Sequence, residues 1–190
     1  AREIAAYLTD GFWEDNGRAR RSFDTGSGSE ITVSLNTLTA AGQQLARWAL
    51  EAWEMVADIT FREISGSAEI RFQDDDGGAY SASATSGGGI RYSIVNVSTN
   101  WITSYGTSIS SYSLQTYVHE IGHALGLGHA GNYNGSARFG RDNLFDADSW
   151  QMSIMSYFSQ DENTFTDATN ALLLGPMMAD IIAIQDLYGA

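Results

Sequence analysis

All three histidines of this chain lie within residues 119–129, in the segment HEIGHALGLGH. His119 and His123 are four positions apart, so on an α-helix their side chains project from the same face one turn apart. Two imidazoles placed in this way can bind a single metal ion. Glu120 would lie about 100° round the helix from His119, close enough to reach a water on the metal without being a ligand. This is the arrangement that a general base needs.

Gly126 predicts how the third histidine joins this pair. Glycine tolerates the positive φ that ends a helix and reverses the chain, and such a reversal would bring His129 back as a third ligand. Structural zinc sites normally have four protein ligands, usually including cysteine, but this chain has no cysteine and no fourth histidine. Three nitrogen ligands leave a position open for water, so the segment predicts a catalytic zinc site. A chance occurrence of the short HExxH pattern in an unrelated helix is the alternative.

Composition restricts the classes of function. A chain of 190 residues that is 43% hydrophobic can bury the core of one domain. Its formal charge is −13 and all ten basic residues are arginine, which argues against nucleic acid or an anionic membrane as a partner. No apolar run approaches the roughly 20 residues of a membrane span, and the N-terminal segment has no signal-peptide core. We therefore expect a monomeric domain, either already processed or excised from a longer chain.

Hydrophobic periodicity predicts a mixed α/β fold, with strands first and the histidine motif on a later helix. The alternation of Ile31, Val33 and Leu35 predicts a strand, and Thr39 is expected to cap a helix that ends near Ala57. The segments ITFREI and AEIRF predict two further strands. Two more strands are expected around Tyr80 and around residues 90–94.

A second long helix should begin near Ser113 and lead into the histidine motif, with Leu114, Tyr117, Val118 and Ile121 on its buried face. Glycine, asparagine, aspartate and serine then predict irregular structure from residue 130 to about residue 170. Pro176 is expected to be the first residue of a last helix that ends at Gly189.

The segment SIMSY, residues 153–157, follows the histidine motif. Together the two segments resemble the metzincin clan of zinc endopeptidases, in which a methionine in a tight turn forms a hydrophobic floor beneath the metal. The resemblance assigns that position to Met155. It also implies that Tyr157, like a tyrosine of serralysins and astacins, binds zinc in the resting enzyme and donates to the oxyanion when substrate enters. Matrix metalloproteinases lack a tyrosine at this spacing.

Within the clan the closer resemblance is to the serralysins, and it covers nearly the whole chain. It is carried by SLQTYVHEIGHALGLGH, SIMSYF, MMADIIAIQDLYGA, ARRSFD, AEIRF and the stretch from Trp53 to Phe61. Two departures flank the third histidine, where serralysins usually have serine and proline and this chain has Gly128 and Ala130. Nothing resembles the calcium-binding glycine-rich repeats that follow the serralysin catalytic domain. Astacins would normally bring cysteines.

The resemblance implies a metzincin fold of the α+β type. Residues from 1 to about 129 would form an upper subdomain with a twisted mixed sheet and two long helices. Residues from about 130 to 190 would form an irregular lower subdomain that ends in a helix. In this fold the strand above the active-site helix is a sheet edge with which an extended substrate pairs. The expected edge residues are Gly78, Ala79, Tyr80, Ser81, Ala82, Ser83 and Ala84. A flexible glycine-rich loop is the alternative for this stretch.

We therefore expect a secreted, extracellular zinc endopeptidase in which a zinc-activated water attacks the peptide bond and Glu120 is the general base. Protein or peptide substrates are the expected partners, and a proteinaceous inhibitor is a further candidate. A metal-binding module without turnover and an astacin-like or matrix-metalloproteinase-like enzyme are the alternatives. Calcium could be bound by QDDDGG or RDNLFDAD, although acidic loops on an acidic protein are more often simply solvated.

Overall fold

The central sheet has five strands in the order β2-β1-β3-β5-β4. The structure is a computed structural model that describes residues 1–26 and 28–190. The strands are β1 (Glu30–Ser34), β2 (Thr60–Glu63), β3 (Ile70–Gln73), β4 (Ala79–Ser86) and β5 (Gly89–Val97). Neighbouring strands are parallel except β4, which runs antiparallel to β5. This mixed sheet confirms the predicted fold class, and β4 forms one edge of it.

Helices precede the strands, lie between them and follow them along the chain. They are α1 (Arg2–Ala6), α2 (Phe12–Asp15), α3 (Ala40–Glu54), α4 (Thr99–Tyr105), α5 (Tyr112–Ala124) and α6 (Met178–Tyr188), with a π-helical segment, Tyr7–Gly11, between α1 and α2. Residues 125–177, all of which are described, contain neither helix nor strand, which confirms the irregular structure predicted from residue 130 to about residue 170. None of the helices formed by the described residues combines the length and the apolar character needed to cross a membrane.

The two long helices α3 and α5 pack together in the core. The predicted apolar face of α5 is buried, with Tyr117, Val118 and Ile121 each 0% exposed. Trp53 of α3 is also fully buried, and its indole Nε1 donates to the carbonyl oxygen of Val118 at 3.0 Å. A buried indole N–H must find such an acceptor, because leaving it unpaired is costly. This contact connects α3 to the helix that carries the histidine motif.

The boundaries of the long helices follow from capping side chains. Thr39 caps α3 as predicted, because its hydroxyl accepts from the backbone N–H of Gly42. However, α3 ends at Glu54 and not near Ala57. The chain turns towards β2 after Glu54, and the Glu54 carboxylate accepts from the N–H of Phe61 in that strand. The second long helix begins one residue earlier than predicted, because Ser111 is its N-cap and accepts from Leu114 N–H.

The prediction that Pro176 is the first residue of the last helix is wrong. The helix α6 begins at Met178, with Met177 as its N-cap. The Asp180 side chain accepts from the N–H of Met177 at 2.8 Å, which sets the start of the helix two residues after the proline. The predicted end is confirmed, since Gly189 is the C-cap with a φ of 92°, a conformation that favours glycine.

Candidate metal centre

The helix α5 and the chain reversal after it bring the three histidines together. One ring nitrogen from each of His119, His123 and His129 lies within 4.8 Å of the others. The Nε2 atoms of His123 and His129 are 3.0 Å apart. Within residues 1–26 and 28–190, no other group of three or more histidine or acidic side chains clusters closely enough to hold a metal ion. The expected reversal of the chain therefore forms, and it places the three imidazoles round one point.

Hydrogen bonds to backbone carbonyls orient the first two rings. Nδ1 of His119 lies 2.8 Å from the carbonyl oxygen of Ile154, and Nδ1 of His123 lies 2.8 Å from that of Leu127. A carbonyl oxygen only accepts, so each Nδ1 carries the proton and each Nε2 keeps its lone pair. Metal-binding histidines are commonly held in this tautomer by such a bond. The donor set therefore fits a zinc ion.

Burial also keeps the imidazoles in the form that binds metal. It lowers the pKa of His119, of His129 and of His123, the last to about 3. The close approach of the other rings adds to this effect for His123 and His129, because two imidazolium charges would repel each other. All three rings are therefore neutral near pH 7, and a neutral imidazole is the ligand form.

Gly126 makes the reversal that the sequence predicts. It has a φ of 114°, and the N–H of Leu127 donates back to the carbonyl oxygen of Gly122 at 3.0 Å. A Cβ at position 126 would overlap the carbonyl oxygen of Arg21. The indole Nε1 of Trp13 donates to the carbonyl oxygen of Gly126 at 2.8 Å. The N-terminal helical segment thus holds the reversal, which sequence analysis did not anticipate because these residues are distant along the chain.

Phe12 explains the first departure from the serralysin pattern. Its ring packs edge to face on His129, with centroids 5.3 Å apart and planes at 88°. A Cβ at position 128 would overlap the Phe12 ring. Gly128 therefore allows the N-terminal helix to lie directly against the third histidine, at a position where serine would not fit without movement of Phe12.

Replacing Gly128 with serine is expected to destabilise the fold by about 1–3 kcal/mol, because the new side chain overpacks against Phe12. Zinc affinity should fall as well, since Phe12 contacts His129 directly. Denaturant unfolding and zinc titration measure the two effects. Gly77→Ser is the control, because nothing lies within 4 Å of a Cβ at that position. A Gly128→Ser variant as stable as the Gly77→Ser variant would contradict the packing argument.

Glu120 lies between the first two histidines in sequence, and it lines the open cleft beside them. It is 7% exposed and lines two cavities, one of about 590 Å³ and one of about 500 Å³. Its carboxylate makes no hydrogen bond to any described residue, and burial raises its pKa to about 8. A buried carboxyl group with no protein partner has a high proton affinity and is free to bind a substrate or a water.

Tyr157 lies beside the histidines. Its ring centroid is 4.5 Å from that of His129 and 6.1 Å from that of His119, and its hydroxyl accepts from the N–H of Gly135 at 3.3 Å. Burial raises the pKa of Tyr157, so the phenol stays protonated at neutral pH. The expected position of this residue next to the metal site is met, whereas its role as a ligand stays a prediction.

A second tyrosine, Tyr133, supports this wall of the site and was missed in the sequence. Its ring centroid lies 5.5 Å from that of His129 and 4.8 Å from that of Tyr157. Its hydroxyl donates to the buried carboxylate of Asp148 at 3.0 Å. Asp148 belongs to the segment RDNLFDAD, and burial raises the pKa of its carboxyl group to about 6. The signal in the sequence was this acidic segment, which was considered for calcium but was expected to be simply solvated.

Three of the other acidic side chains considered for calcium also bind protein groups. Asp74 accepts from the N–H of Thr39, Asp76 accepts from the hydroxyl of Tyr80, and Asp142 pairs with Arg141. These contacts use carboxylate oxygens that a calcium ion would need. The described part of the chain therefore gives no support for calcium at either segment.

Met155 forms a buried contact beneath α5. It is 0% exposed, and its Sδ would lie 2.6 Å from a Cβ at position 122. Gly122 therefore lets the helix approach the turn that contains Met155. The same turn presents the carbonyl oxygen of Ile154 to His119. The segment SIMSY thus packs against the helix of the first two histidines, and the role of Met155 as a floor beneath the metal stays a prediction.

Asp180 of α6 fixes this turn and was not singled out in the sequence. Its carboxylate accepts from the hydroxyl of Ser153 at 2.6 Å, from the N–H of Ile154 at 2.7 Å and from the N–H of Met177 at 2.8 Å. Burial raises the pKa of Asp180 to about 6, because its effect exceeds that of the three hydrogen-bond donors, which lower the pKa. The last helix therefore holds the turn that orients the first histidine.

Asp180→Asn is expected to destabilise the protein by about 1–3 kcal/mol, because an amide has one acceptor oxygen and leaves a buried donor unpaired. The turn that orients His119 would loosen, so zinc affinity should fall by about 10–100-fold. Asp186→Asn on the same helix is the control, since among the described residues that exposed carboxylate pairs only with Arg20 at the surface. Equal effects of the two substitutions in unfolding and zinc titration would show that Asp180 does not position the turn.

The edge strand β4 runs along the cleft. Gly78 and Ala79 line the larger cavity with His119 and Glu120, and residues 79–83 line the second cavity with all three histidines. Ala84 continues the strand but lines neither cavity. Among residues 1–26 and 28–190, β4 pairs only with β5, so its other backbone edge is free. Residues 79–84 are therefore in a strand and not in a flexible loop, which confirms the predicted strand around Tyr80. Gly78 is not part of that strand: it lies in the bend just before β4 with a φ of 75°, and its carbonyl oxygen accepts from the side chain of Asn96 and the N–H of Ser98.

Comparison with known proteins agrees with this geometry. The family model described as the dual-action HEIGH metallo-peptidase matches residues 27–143. Serralysin C from Dickeya chrysanthemi is 40% identical over 166 residues, which cover 80% of this chain and 34% of that protein. Metallopeptidase AprA from Pseudomonas marginalis is 32% identical over 209 residues, which cover 92% of this chain and 43% of that protein. This chain spans about a third of the length of the curated serralysins it matches. A family model that covers more than half of the chain, a mixed sheet and a three-histidine centre over a buried methionine together show that the chain belongs to the HEIGH metallo-peptidases and is a serralysin-like metzincin domain.

Proposed function

We propose that this chain is the catalytic domain of a secreted zinc endopeptidase. One observation carries the proposal: ring nitrogens of three imidazoles converge beside Glu120, a buried carboxyl group that makes no hydrogen bond to any described residue. A site that only bound metal would have no need of that carboxyl group. The serralysin resemblance supports secretion and extracellular action.

The three histidines would hold the metal. When bound, zinc supplies Lewis acidity, which polarises the scissile carbonyl and lowers the pKa of a water. The chain's own contribution is to keep the imidazoles neutral and to orient His119 and His123 through the carbonyl oxygens of Ile154 and Leu127.

Glu120 would act as the general base and then as the general acid. It takes a proton from the attacking water as the oxygen bonds to the carbonyl carbon. It then delivers that proton to the leaving nitrogen as the C–N bond breaks. Burial without a hydrogen-bond partner gives the carboxylate a high proton affinity, which suits both steps. A general base is most efficient when its pKa lies near the pH at which the enzyme works.

An extended peptide would bind along the free edge of β4. Main-chain hydrogen bonds to residues 79–83 would hold the substrate above Glu120 and the histidines. Ala79, Ser81, Ala82 and Ser83 are small side chains that allow a peptide backbone to approach closely. The same edge would accept an extended segment of an inhibitor protein. We propose that the domain acts as a monomer, because the site is complete within one chain.

Hydrolysis of casein or gelatin by the purified chain tests the proposal. Activity is expected with zinc, should disappear with a chelator and should return when zinc is added back. Zinc content near one ion per chain should be lost and regained in parallel. Full zinc binding without cleavage of either protein would favour the alternative of a binding module without turnover.

Tyr157→Phe is expected to lower kcat by about 100-fold with little change in KM, because the phenol donates to the oxyanion only as charge develops. The aromatic packing against His129 would be retained, so stability should not change. Steady-state kinetics on a quenched fluorescent peptide measure both constants. Tyr92→Phe is the control, as Tyr92 lines neither cleft cavity. An unchanged kcat for Tyr157→Phe would remove this residue from the mechanism.

A further inference from the structure

The two ends of the cleft differ in charge. The larger cavity, at the Gly78 end of β4, is lined by aromatic and small polar side chains and contains no arginine. The second cavity, towards Ser83, is lined by Arg18 and Arg21 as well as by the histidines. On a chain with a formal charge of −13 and only ten basic residues, two arginines at one end of the cleft form a local positive region.

These two arginines have no carboxylate partner within the described residues, whereas Arg20 between them pairs with both Asp10 and Asp186. The side chain of Arg18 is exposed. Arg21 is 6% exposed, and among the described residues its guanidinium donates only to the carbonyl oxygen of Ala19, at 3.3 Å through Nε and Nη2. A buried guanidinium normally has better hydrogen-bond partners than this.

The position of Arg21 is held by its surroundings. Its guanidinium carbon lies 3.7 Å from the ring centroid of Trp13, a cation–π contact. Trp13 is itself anchored to Gly126 at the reversal between the second and third histidines. Burial lowers the pKa of Arg21, and the neighbouring charge of Arg18 lowers it further. The two positive charges therefore repel each other, and an anionic ligand would relieve this repulsion.

The arginine pair faces the edge strand. A cavity of about 380 Å³ is lined by Arg18, Ala19, Arg21, Ser83, Thr85 and Gly88. Ser83 also lines the catalytic cleft, so this cavity continues the cleft beyond the metal site along β4. A peptide that pairs with β4 over the histidines would extend its side chains into this cavity within a few residues of the scissile bond.

We propose that Arg18 and Arg21 form a subsite for an acidic side chain of the substrate. The ligand is an aspartate or glutamate in an extended peptide, on the side of the scissile bond that lies towards Ser83. The larger cavity, which contains no arginine, would show no such preference. The inference rests on the proposed function, because it assumes that a peptide lies along β4. It adds a charge preference at a defined end of the cleft.

A glutamate scan of a quenched fluorescent peptide tests the proposal. One peptide of glutamine and apolar residues is compared with variants in which a single glutamine is replaced by glutamate at successive positions on both sides of the scissile bond. We expect glutamate to raise kcat/KM by about threefold to tenfold on one side of the scissile bond only. The gain should occur at a single position, or at two positions whose side chains point to the same face of the extended peptide. The gain should diminish as salt is raised from low ionic strength, because partly exposed charges are screened.

Arg18→Gln is the principal variant, because the exposed side chain can be replaced without disturbing the core. It should lower kcat/KM for the glutamate peptide by more than for the all-glutamine peptide, so that the preference for glutamate decreases. Arg18→Glu should reverse the preference. Arg2→Gln is the matched control, since it removes the same charge from an exposed position that lines no cavity of the cleft.

Binding of the same labelled peptides to the chelator-treated chain, followed by fluorescence anisotropy, separates the subsite from catalysis. If nothing is cleaved but the glutamate peptide binds more tightly and Arg18→Gln removes the difference, the proposed function fails and the subsite stands. If peptides are cleaved with no glutamate preference at any position, the subsite is overturned and the function stands. A preference that Arg18→Gln and Arg2→Gln reduce equally reflects net charge alone and also overturns the proposal.

Discussion

Replacing Glu120 with glutamine is expected to lower kcat for peptide hydrolysis by about 10²–10⁴-fold, the usual contribution of a general base. Glutamine has nearly the same size but cannot accept the proton from the attacking water. Zinc content should not change, because the three imidazoles are the proposed ligands, and the hydrogen bonds that orient His119 and His123 do not involve Glu120. Steady-state kinetics and metal analysis of the same preparation measure the two properties.

The stability of this variant provides a control within the same molecule. Burial raises the pKa of Glu120, so keeping the carboxylate ionised in the folded protein is unfavourable. The neutral amide removes that cost, and we expect Glu120→Gln to unfold at the same denaturant concentration as the parent or at a higher one. A loss of activity accompanied by unfolding would indicate a structural role, and full activity would remove Glu120 from the chemistry.

His129→Ala is expected to have the second large effect, the loss of stoichiometric zinc. Two histidines on one helix would remain, and losing a direct ligand should weaken zinc binding by more than the roughly 10–100-fold cost of losing an outer-shell partner. Hydrolysis should disappear with the metal. Metal analysis after dialysis measures this, and so does the rise in Tm on adding zinc, which the parent should show and the variant should lack.

The fold should survive this substitution, because hydrogen bonds between the backbone of the reversal and the N-terminal segment hold the reversal in place without the imidazole of His129. The N–H of Gly128 donates to the carbonyl oxygen of Leu8 at 2.7 Å, and Trp13 holds Gly126 from the other side. Circular dichroism of the chain without metal should therefore match that of the parent. Tyr133→Phe is a useful comparison, as it alters the neighbouring wall but keeps all three imidazoles. Retention of one tightly bound zinc in His129→Ala would exclude His129 as a ligand.

The local elements were predictable because each depends on residues close together in the chain. The caps Thr39 and Gly189 and the positive φ of Gly126 follow from the chemistry of single residues. The spacing of the histidines follows from the helical repeat. The start of the last helix depends on a contact between distant residues: α6 begins after Pro176 because Asp180, which is bound to the turn at Ile154, also accepts from Met177.

The sequence by itself determined the chemistry of this protein: three imidazoles and one carboxylate on a helix and its reversal, with no cysteine to close the metal site. Only the tertiary structure decided what surrounds them. It placed Phe12 and Trp13 against the reversal, Asp180 beneath the turn, and Arg18 and Arg21 at one end of the cleft. These contacts join residues more than 20 positions apart, and no local pattern encodes such contacts because they depend on how whole elements pack.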